Sequence, residues 1–289
     1  MGKSTEGVIL MAFGKANYMY MAAHMAMSIK YFSKNKVKIK LVHDGCLKYV
    51  LPKWKAFFDE TEEIKKEHIY LDNKLNPGWA KLNVYEYASF NKNIYLDVDG
   101  ICIQDLTPLF DQEKFYATEV MDIGGRNDKI NYSHWATNEM AWKNFGLKKD
   151  AQFPTVQSSF AYFKKGREAK AFFTRMKKNF NYPKNDLLHT WGGTMPDELI
   201  ISGTCAQIGH NPSIKGKAVF FGHKLFKDTF KEIQTKYYIN SLYGNGRGNT
   251  LVRTKYMDWY NGICKDVASK MGIHPIAKAH RLMKGKHAG

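Results

Sequence analysis

The sequence contains little cysteine, and its cysteines are scattered. Only four occur in 289 residues, at Cys46, Cys102, Cys205 and Cys264. No two are close enough to form a CxxC pair, which excludes a zinc ribbon and a dithiol redox motif. So low a content also excludes a small disulfide scaffold. We therefore expect four reduced thiols, as in a cytosolic protein.

Long apolar runs are also missing. The longest have about six residues, for example 8–13, whereas a membrane-spanning helix needs about 20. The first seven residues, MGKSTEG, lack the apolar stretch of a signal peptide. We therefore predict a soluble protein of the cytoplasm, without a transmembrane segment.

Glycine and proline are too scarce for a disordered or collagen-like chain. The sequence has 23 glycines and 8 prolines, while hydrophobic residues make up 44% of it. A chain of this length can bury roughly three quarters of its unfolded surface, so it needs no metal or disulfide to fold. At about 150 residues per domain it could form two domains, and one large α/β domain is equally ordinary.

Acidic residues are outnumbered, most of all near the C-terminus. The net charge is +17, and residues 215–289 alone carry 15 Lys and Arg against four Asp and Glu, a net of +11. Aromatic residues lie among these charges, as in proteins that stack nucleic-acid bases beside phosphate-binding cations. The segment indicates either a polyanionic partner, nucleic acid or an anionic membrane, or simply a solvated basic face.

Apolar periodicity predicts alternating strands and helices. The predicted elements are strands at 8–13, 38–43 and 93–97, and helices at 17–34, 52–66, 82–90, 167–180 and 254–271. The alternation in the first hundred residues favours an α/β fold with a mostly parallel sheet flanked by helices. A glycine-rich hinge is predicted at 244–249, and it lacks the pattern of a phosphate-binding loop.

The segment most informative about chemistry is the strand 93–97 and the residues after it. The strand ends in Asp97-Val98-Asp99, and residues two apart point to the same side of a strand. Both carboxylates can therefore converge at the carboxyl edge of the sheet, where open α/β sheets bind ligands. Two hard oxygen ligands suit Mg²⁺ or Mn²⁺, which would also offset their mutual repulsion.

The motif Asp97-Val98-Asp99-Gly100 has three other interpretations. The aspartates could simply cap or solvate the turn after the strand. The motif also resembles the nucleophile segment of haloacid-dehalogenase phosphatases, but Ile101 stands where that family has Thr or Ser. An EF-hand loop does not fit, because the glycine comes too early and no acidic twelfth position follows.

The residues around this motif resemble a known enzyme family. The stretch Tyr-Leu-Asp-Val-Asp at 95–99, followed by Asp-Leu-Thr-Pro-Leu-Phe at 105–110, is similar to the metal-binding region of GT-A glycosyltransferases. It is most similar to the retaining family 8, which includes glycogenin and bacterial galactosyltransferases. The resemblance spans roughly 8–225 and implies a Rossmann-like GT-A fold that takes a UDP-sugar as donor with Mn²⁺ or Mg²⁺.

The resemblance also implies roles on the donor side. Phe13, Asn17 and Tyr18 follow a segment similar to the family's first strand and would contact the nucleotide. Lys81 occupies the place of a basic residue near the donor phosphates. Gln157 stands in a strand whose usual sequence is Phe-Asn-Ser-Gly, so this chain departs from the family there.

Metal ligands follow from the same resemblance. They would be Asp97, Asp99 and His223, which lies in a late segment similar to the family's histidine-bearing strand. The usual Lys-Pro-Trp after that histidine is absent, and His210 is the alternative ligand.

Asp197 and Glu198 resemble the Asp-Gln pair that opens the family's acceptor-side helix. They would then lie near the transferred sugar and, with Lys81, form the catalytic group. The alternative is a pair of acidic residues that stabilises a helix N-terminus after Pro196.

Three hypotheses remain for the partner. We expect a transferase domain at 1–225 followed by a basic, largely helical extension at 226–289. This extension would hold double-stranded DNA whose hydroxymethylated pyrimidines receive the sugar, as in bacteriophage DNA modification. Such an enzyme would work in the host cytoplasm. The alternative acceptor is lipopolysaccharide or another envelope glycan, with the tail on anionic lipid. A third hypothesis is a nucleic-acid-binding protein without enzymatic activity.

Overall fold

A computed structural model of the chain describes residues 5–122, 135–149, 151, 153–180, 195–221, 230–241 and 250–273. The strands are β1 Glu6–Ala12, β2 Lys38–His43, β3 Glu60–Glu63, β4 Tyr70–Leu71, β5 Lys74–Leu75, β6 Lys92–Leu96, β7 Gly100–Cys102, β8 Tyr116–Asp122, β9 Thr155–Lys164, β10 Val219–Phe221 and β11 Ile239–Ser241. The helices are α1 Ala16–Phe32, α2 Pro52–Lys55, α3 Pro77–Leu82, α4 Asn138–Asn144, α5 Arg167–Asn179, α6 Asp197–Gln207, α7 Phe230–Lys236 and α8 Thr250–Lys270.

The main sheet has six strands in the order β3-β2-β1-β6-β9-β8. Strand β1 pairs in parallel with β2, and β2 in parallel with β3, while β8 and β9 are antiparallel. A three-stranded sheet has the order β10-β11-β7, and β4 and β5 form a hairpin. This is an α/β architecture with a mostly parallel sheet flanked by helices, as predicted.

The chain divides into two compact units. The β1 unit comprises Glu6–Ile64, Tyr95–Asp111 and Gly216–Gly289. The β9 unit comprises Met1–Thr5, Lys65–Ile94 and Gln112–Lys215. The predicted domain boundary at residue 225 stays a prediction.

Helix α1 forms the core of the β1 unit. Its Met- and Ala-rich middle is buried on nearly every side, and it contacts β1, β2, β7, α2 and α8. Polar groups on α1 also fix the chain after β7: the backbone NH of Cys102 donates to Ser28 Oγ at 3.0 Å. A helix buried all round belongs in an interior, and its low amphipathicity is explained by this position.

The β9 unit is built on the β8–β9 pair, which α6 covers. Helices α5 and α6 pack together, and α3 contacts both. Gly203 on α6 permits the closest contact, because the Phe145 ring occupies the space that a Cβ on residue 203 would need. This packing fixes α6, and therefore its first residues, against β9.

Two predicted helices are wrong. Residues 52–66 form only the short helix α2 and then strand β3, because the acidic residues pair with lysines of β2: Lys40 Nζ lies 2.7 Å from Glu62 Oε2. Residues 82–90 do not continue as a helix either. Asn83 ends α3 by donating its side-chain amide to the Trp79 carbonyl at 3.0 Å, and a short 3₁₀ helix, Val84–Tyr87, follows.

Other predicted elements are confirmed. The strand at 38–43 and the helices at 17–34, 167–180 and 254–271 correspond to β2, α1, α5 and α8 with small shifts at their ends. All four cysteines are free and buried. In the described ranges no helix is both long enough and apolar enough to cross a membrane. The hinge predicted at 244–249 lies outside the described residues.

Candidate functional site

The loops after β1 and β2 are joined at the carboxyl end of these strands. The backbone NH of Gly14 donates to Asp44 Oδ2 at 2.6 Å, and Cys46 Sγ donates to the Ala12 carbonyl at 3.2 Å. Gly14 and Gly45 have φ values of +81° and +86°, a region that glycine enters without strain. These contacts fix the chain that leads into α1.

The residues predicted to contact the nucleotide lie on this stretch. Phe13 follows β1 and is half-buried, while Asn17 stands in the first turn of α1 and is also half-buried. Tyr18 is more open, with 43% of its surface exposed. An aromatic ring exposed at the carboxyl edge of a parallel sheet is available to a ligand.

Asp97 and Asp99 flank buried Val98 in the turn between β6 and β7. Both carboxylates are half-buried, whereas Val98 is 6% exposed, as expected if the two acids share one side. The Tyr95 hydroxyl donates to Asp97 Oδ1 at 2.6 Å. Partial burial raises the pKa of Tyr18, and the negative charges of Asp99 and Asp97 raise it further. The structure therefore places Tyr18 within electrostatic reach of both carboxylates.

This group fits a hard divalent cation. Mg²⁺ is commonly bound by one or two carboxylates, with water and substrate oxygens completing its coordination. Asp97 and Asp99 supply two such ligands. His223, the predicted third ligand, lies outside the described residues. Within the described part of the chain, no three His, Cys, Asp or Glu side chains cluster closely enough to form a metal site.

A second polar group lies in the β9 unit, around Lys81 on α3. Lys81 Nζ lies 3.2 Å from Ser158 Oγ on β9 and 3.2 Å from Asp197 Oδ2 at the start of α6. The Lys81–Asp197 pair is an ion contact without the alignment of a hydrogen bond. The side chains of Lys81 and Asp197 are 19% and 17% exposed, so solvent screens the pair only in part.

Local structure explains how Lys81 reaches Asp197. Asn76 caps α3 by accepting a hydrogen bond from the Trp79 NH at 3.0 Å, and Pro77 follows as the first helical residue. Next comes Gly78, where an ideal Cβ would lie only 3.2 Å from the Met195 carbonyl oxygen. Glycine therefore lets the start of α3 approach the start of α6 closely.

A bulge in β9 presents Ser158. The β8–β9 register moves from Thr118↔Ala161 to Glu119↔Gln157, so residues 158–160 have no direct partners on β8. The buried Thr118 hydroxyl lies 2.7 Å from the Gln157 carbonyl oxygen and 2.6 Å from that of Phe160, which holds the bulge. Bulges re-aim side chains, often near functional sites.

Glu198, adjacent to Asp197, has a strongly raised pKa. Burial raises its pKa to about 7, and the Asp197 charge raises it as well, against the opposing effects of Trp135 and Lys81. Trp135 Nε1 donates to Glu198 Oε2 at 2.9 Å. An acid perturbed by burial and a specific neighbour is a candidate functional group.

Two other predicted residues have structural contacts. Gln157 is 5% exposed, and its amide donates to Ser159 Oγ at 3.2 Å within β9. His210 lies with its Nε2 2.8 Å from the Tyr116 carbonyl oxygen and its ring 4.4 Å from that of Phe115. Burial lowers the His210 pKa. The structure thus gives His210 a packing role.

The sequence did not indicate the hydrogen-bond partners of the Asp97–Asp99 group or of the group around Lys81. Tyr95, two residues before Asp97, could have been found from the same-side rule for strands. Trp135 lies more than 60 residues from Glu198 in the chain, and no local pattern indicates that they meet.

The fold is shared with solved glycosyltransferases. The chain matches galactosyltransferase LgtC in complex with donor and acceptor sugar analogs, with a TM-score of 0.58 at 12% identity, over 93% of this chain and 98% of that one. The chain has the GT-A fold of these proteins. The expected GT-A fold is thereby confirmed, while the basic C-terminal extension stays a prediction.

Two larger proteins show the same likeness. The apo bifunctional glycosyltransferase WbbM matches with a TM-score of 0.58 at 12% identity, over 91% of this chain and 52% of that one. The apo glycosyltransferase GlyE of Streptococcus pneumoniae TIGR4 matches with a TM-score of 0.52 at 14% identity, over 94% of this chain and 65% of that one. At such identities the likeness concerns the GT-A fold alone. No protein-family model and no curated protein matches the sequence.

Proposed function

We propose that this protein is a metal-dependent glycosyltransferase that uses a UDP-sugar. The observation that carries the proposal is the pair Asp97 and Asp99 after β6 in a GT-A fold, near enough to the exposed Tyr18 for their charges to raise its pKa. Two carboxylates suit a divalent cation, and the exposed Tyr18 ring, with Phe13 and Asn17 beside it in sequence, suits a nucleotide base.

The reaction breaks the bond between the anomeric carbon of the sugar and a phosphate oxygen of UDP, and the electron pair leaves with UDP. An acceptor oxygen bonds to the anomeric carbon and passes its proton to the departing phosphate oxygen of UDP; we propose that the configuration is retained. Bound Mn²⁺ or Mg²⁺ would neutralise negative charge on the diphosphate. We assign Asp97 and Asp99 to this ion, with His223 as the third ligand.

In the β9 unit, the residues of the second polar group receive the roles implied by the family resemblance. Lys81 is assigned to the donor phosphates, Asp197 and Glu198 to the transferred sugar, and Gln157 to the donor side. The ion contact between Lys81 and Asp197 and the bulge that presents Ser158 support a preorganised polar group.

As acceptor we propose hydroxymethylated pyrimidine in double-stranded DNA, as a bacteriophage enzyme would use. The support is the net charge of +11 in residues 215–289, because Lys and Arg bind DNA chiefly through its phosphates. A glycan of the cell envelope is the second candidate. It is favoured by the neighbour LgtC, whose structure contains a donor and an acceptor sugar analog.

The test is UDP release from a panel of UDP-sugars with Mn²⁺. Each donor is combined with hydroxymethylcytosine DNA, the same DNA unmodified, or a pool of envelope glycans. Release that requires the hydroxymethyl group supports the DNA acceptor, and release that requires glycan supports the alternative. No release with any acceptor, together with DNA binding that Asp99→Asn leaves intact, would favour the non-enzymatic hypothesis.

Asp99→Asn is the matching variant, and we expect it to lose about 10³-fold in activity because it removes a metal ligand. Asp111→Asn is the control, since Asp111 is an exposed aspartate of the same unit. We expect the control to keep full activity. Equal losses in both variants would contradict the assignment of Asp99.

A further inference from the structure

Two adjacent carboxyl groups in the β9 unit have one lysine near them, and it contacts Asp197. Lys81 Nζ contacts Asp197 Oδ2, whereas the Glu198 carboxyl accepts from Trp135 Nε1 at 2.9 Å. Two carboxylates with one ammonium leave an excess negative charge in a partly buried place. Such pairs are relieved when one member keeps its proton.

The other elements packed around this group bring no second cation to Glu198 within the described residues. On α3 the charged group is Lys81, and on α6 it is Asp197. From β8 comes Tyr116, a buried phenol whose pKa burial raises well above the ordinary value, so it is neutral. Cys205, which also acts on Tyr116, is a buried thiol whose pKa burial raises.

We propose that Glu198 holds a proton at neutral pH and works as a neutral hydrogen-bond donor to an oxygen of the transferred sugar. This inference rests on the proposed function, because it names how one member of the group contacts that sugar. Lys81 keeps Asp197 ionised, and the proton is therefore assigned to Glu198. Its proton stays on the carboxyl group throughout and takes no part in bond breaking.

The chemistry of the two forms differs. A carboxylate can only accept hydrogen bonds, whereas a protonated carboxyl group donates one and still accepts. The protonated acid therefore has the same donor and acceptor capacity toward a sugar as an amide side chain. An ionised Glu198 would instead serve as a nucleophile or stabilise positive charge at the anomeric carbon. The protonated form predicts that activity falls as the pH rises, and the ionised form predicts that it increases.

The activity test compares wild-type protein with Glu198→Gln, using UDP release at about pH 6 and about pH 8.5. If Glu198 titrates with a midpoint near pH 7, the fraction of protein with a protonated Glu198 falls on the order of thirtyfold over this interval. We expect the wild-type rate to fall by that factor relative to Glu198→Gln, whose amide does not titrate. A folded but inactive glutamine variant, with a wild-type rate that rises with pH, would overturn the proposal.

Protein unfolding provides a readout that needs no substrate. The folded chain holds the Glu198 proton more tightly than the unfolded chain, so the contribution of Glu198 to stability is fully present below its ordinary pKa of 4.5 and is lost as the pH rises through about 7. Thermal unfolding of wild-type protein should therefore show a decline across this window that Glu198→Gln lacks. The control, Glu139→Gln, alters an exposed acid of α4 and should keep the wild-type decline.

The two readouts separate the two claims. If no donor is turned over but the unfolding difference is present, the proposed function fails and the proton on Glu198 stands. Identical dependence of unfolding on pH for wild type and Glu198→Gln would contradict the claim that Glu198 is protonated at neutral pH. If Glu198→Gln does not fold, Asp197→Asn replaces it, because removing the neighbouring charge should move the wild-type midpoint to lower pH. An unmoved midpoint would contradict the proposal.

Discussion

The two polar groups of this protein balance their charge in different ways. In the β1 unit, Asp97 and Asp99 are two residues apart and half-exposed, and they suit a cation from outside. In the β9 unit, Asp197 and Glu198 are balanced from within, by Lys81 and, on our proposal, by a bound proton. The first group should therefore respond to added metal, and the second to pH and to loss of its lysine.

Removing the internal cation should cause the largest change in stability. Lys81→Met leaves Asp197 partly buried without its partner, and we expect a loss of about 3 kcal/mol in the free energy of unfolding, measured with urea. The control is Lys177→Met. It breaks a shorter pair, 2.6 Å from Glu86 Oε1, but a more exposed one, so its cost should be below about 1 kcal/mol. Equal costs would show that burial does not distinguish the pairs.

The next prediction concerns a buried histidine whose ring nitrogens have no hydrogen-bond partner among the described residues. This is His24 on α1, which is 3% exposed. Its ring lies edge-on to Trp54 and Tyr260. Burial lowers the His24 pKa to about 4, so stability present above the ordinary value of 6.5 is lost as the pH falls toward 4.

The change His24→Phe should remove this loss. We expect wild-type protein to lose roughly 2–3 kcal/mol between pH 6.5 and 4 relative to the variant, in urea unfolding at each pH. Parallel curves for the two proteins would contradict a neutral, buried His24.

The smallest predicted effect tests the packing that fixes α6. Gly203→Ala places a methyl group where the Phe145 ring lies, and overpacking of this kind costs about 1–3 kcal/mol. Gly262→Ala is the control, because this exposed glycine of α8 has nothing within 4 Å of its ideal Cβ. Alanine there should raise the free energy of unfolding by about 0.5–1 kcal/mol, measured for both variants by urea unfolding. The same sign for both changes would argue against the Phe145 contact.

The same contrast explains what could be predicted from sequence. Asp97 and Asp99 were found because a strand places residues two apart on one side, and nothing distant is needed. The internally balanced group draws on residues 81, 135, 158, 197 and 198. Lys81, Asp197 and Glu198 could be named by family resemblance, but their contacts with Ser158 and Trp135 depend on tertiary packing.

The fold shows the same limits. Strand β2, in which charged and apolar residues alternate, is predicted to the residue. Residues 59–63 fall within the helix predicted at 52–66, and that prediction is wrong. In the structure, Asp59 accepts from the Ile39 NH at 2.8 Å, and β3 then pairs with β2. Residues 60–63 form a strand because they pair with β2, which carries lysines. Local propensity does not indicate this pairing.

The most direct test of the central claim is the binding of UDP with and without Mn²⁺, measured by calorimetry on wild-type protein and Asp99→Asn. If Asp97 and Asp99 hold the cation that binds the diphosphate, Mn²⁺ should tighten UDP binding at least about tenfold in the wild type. Asp99→Asn should lose that gain while still unfolding as a single cooperative transition. UDP affinity that is the same in all four cases would contradict the account.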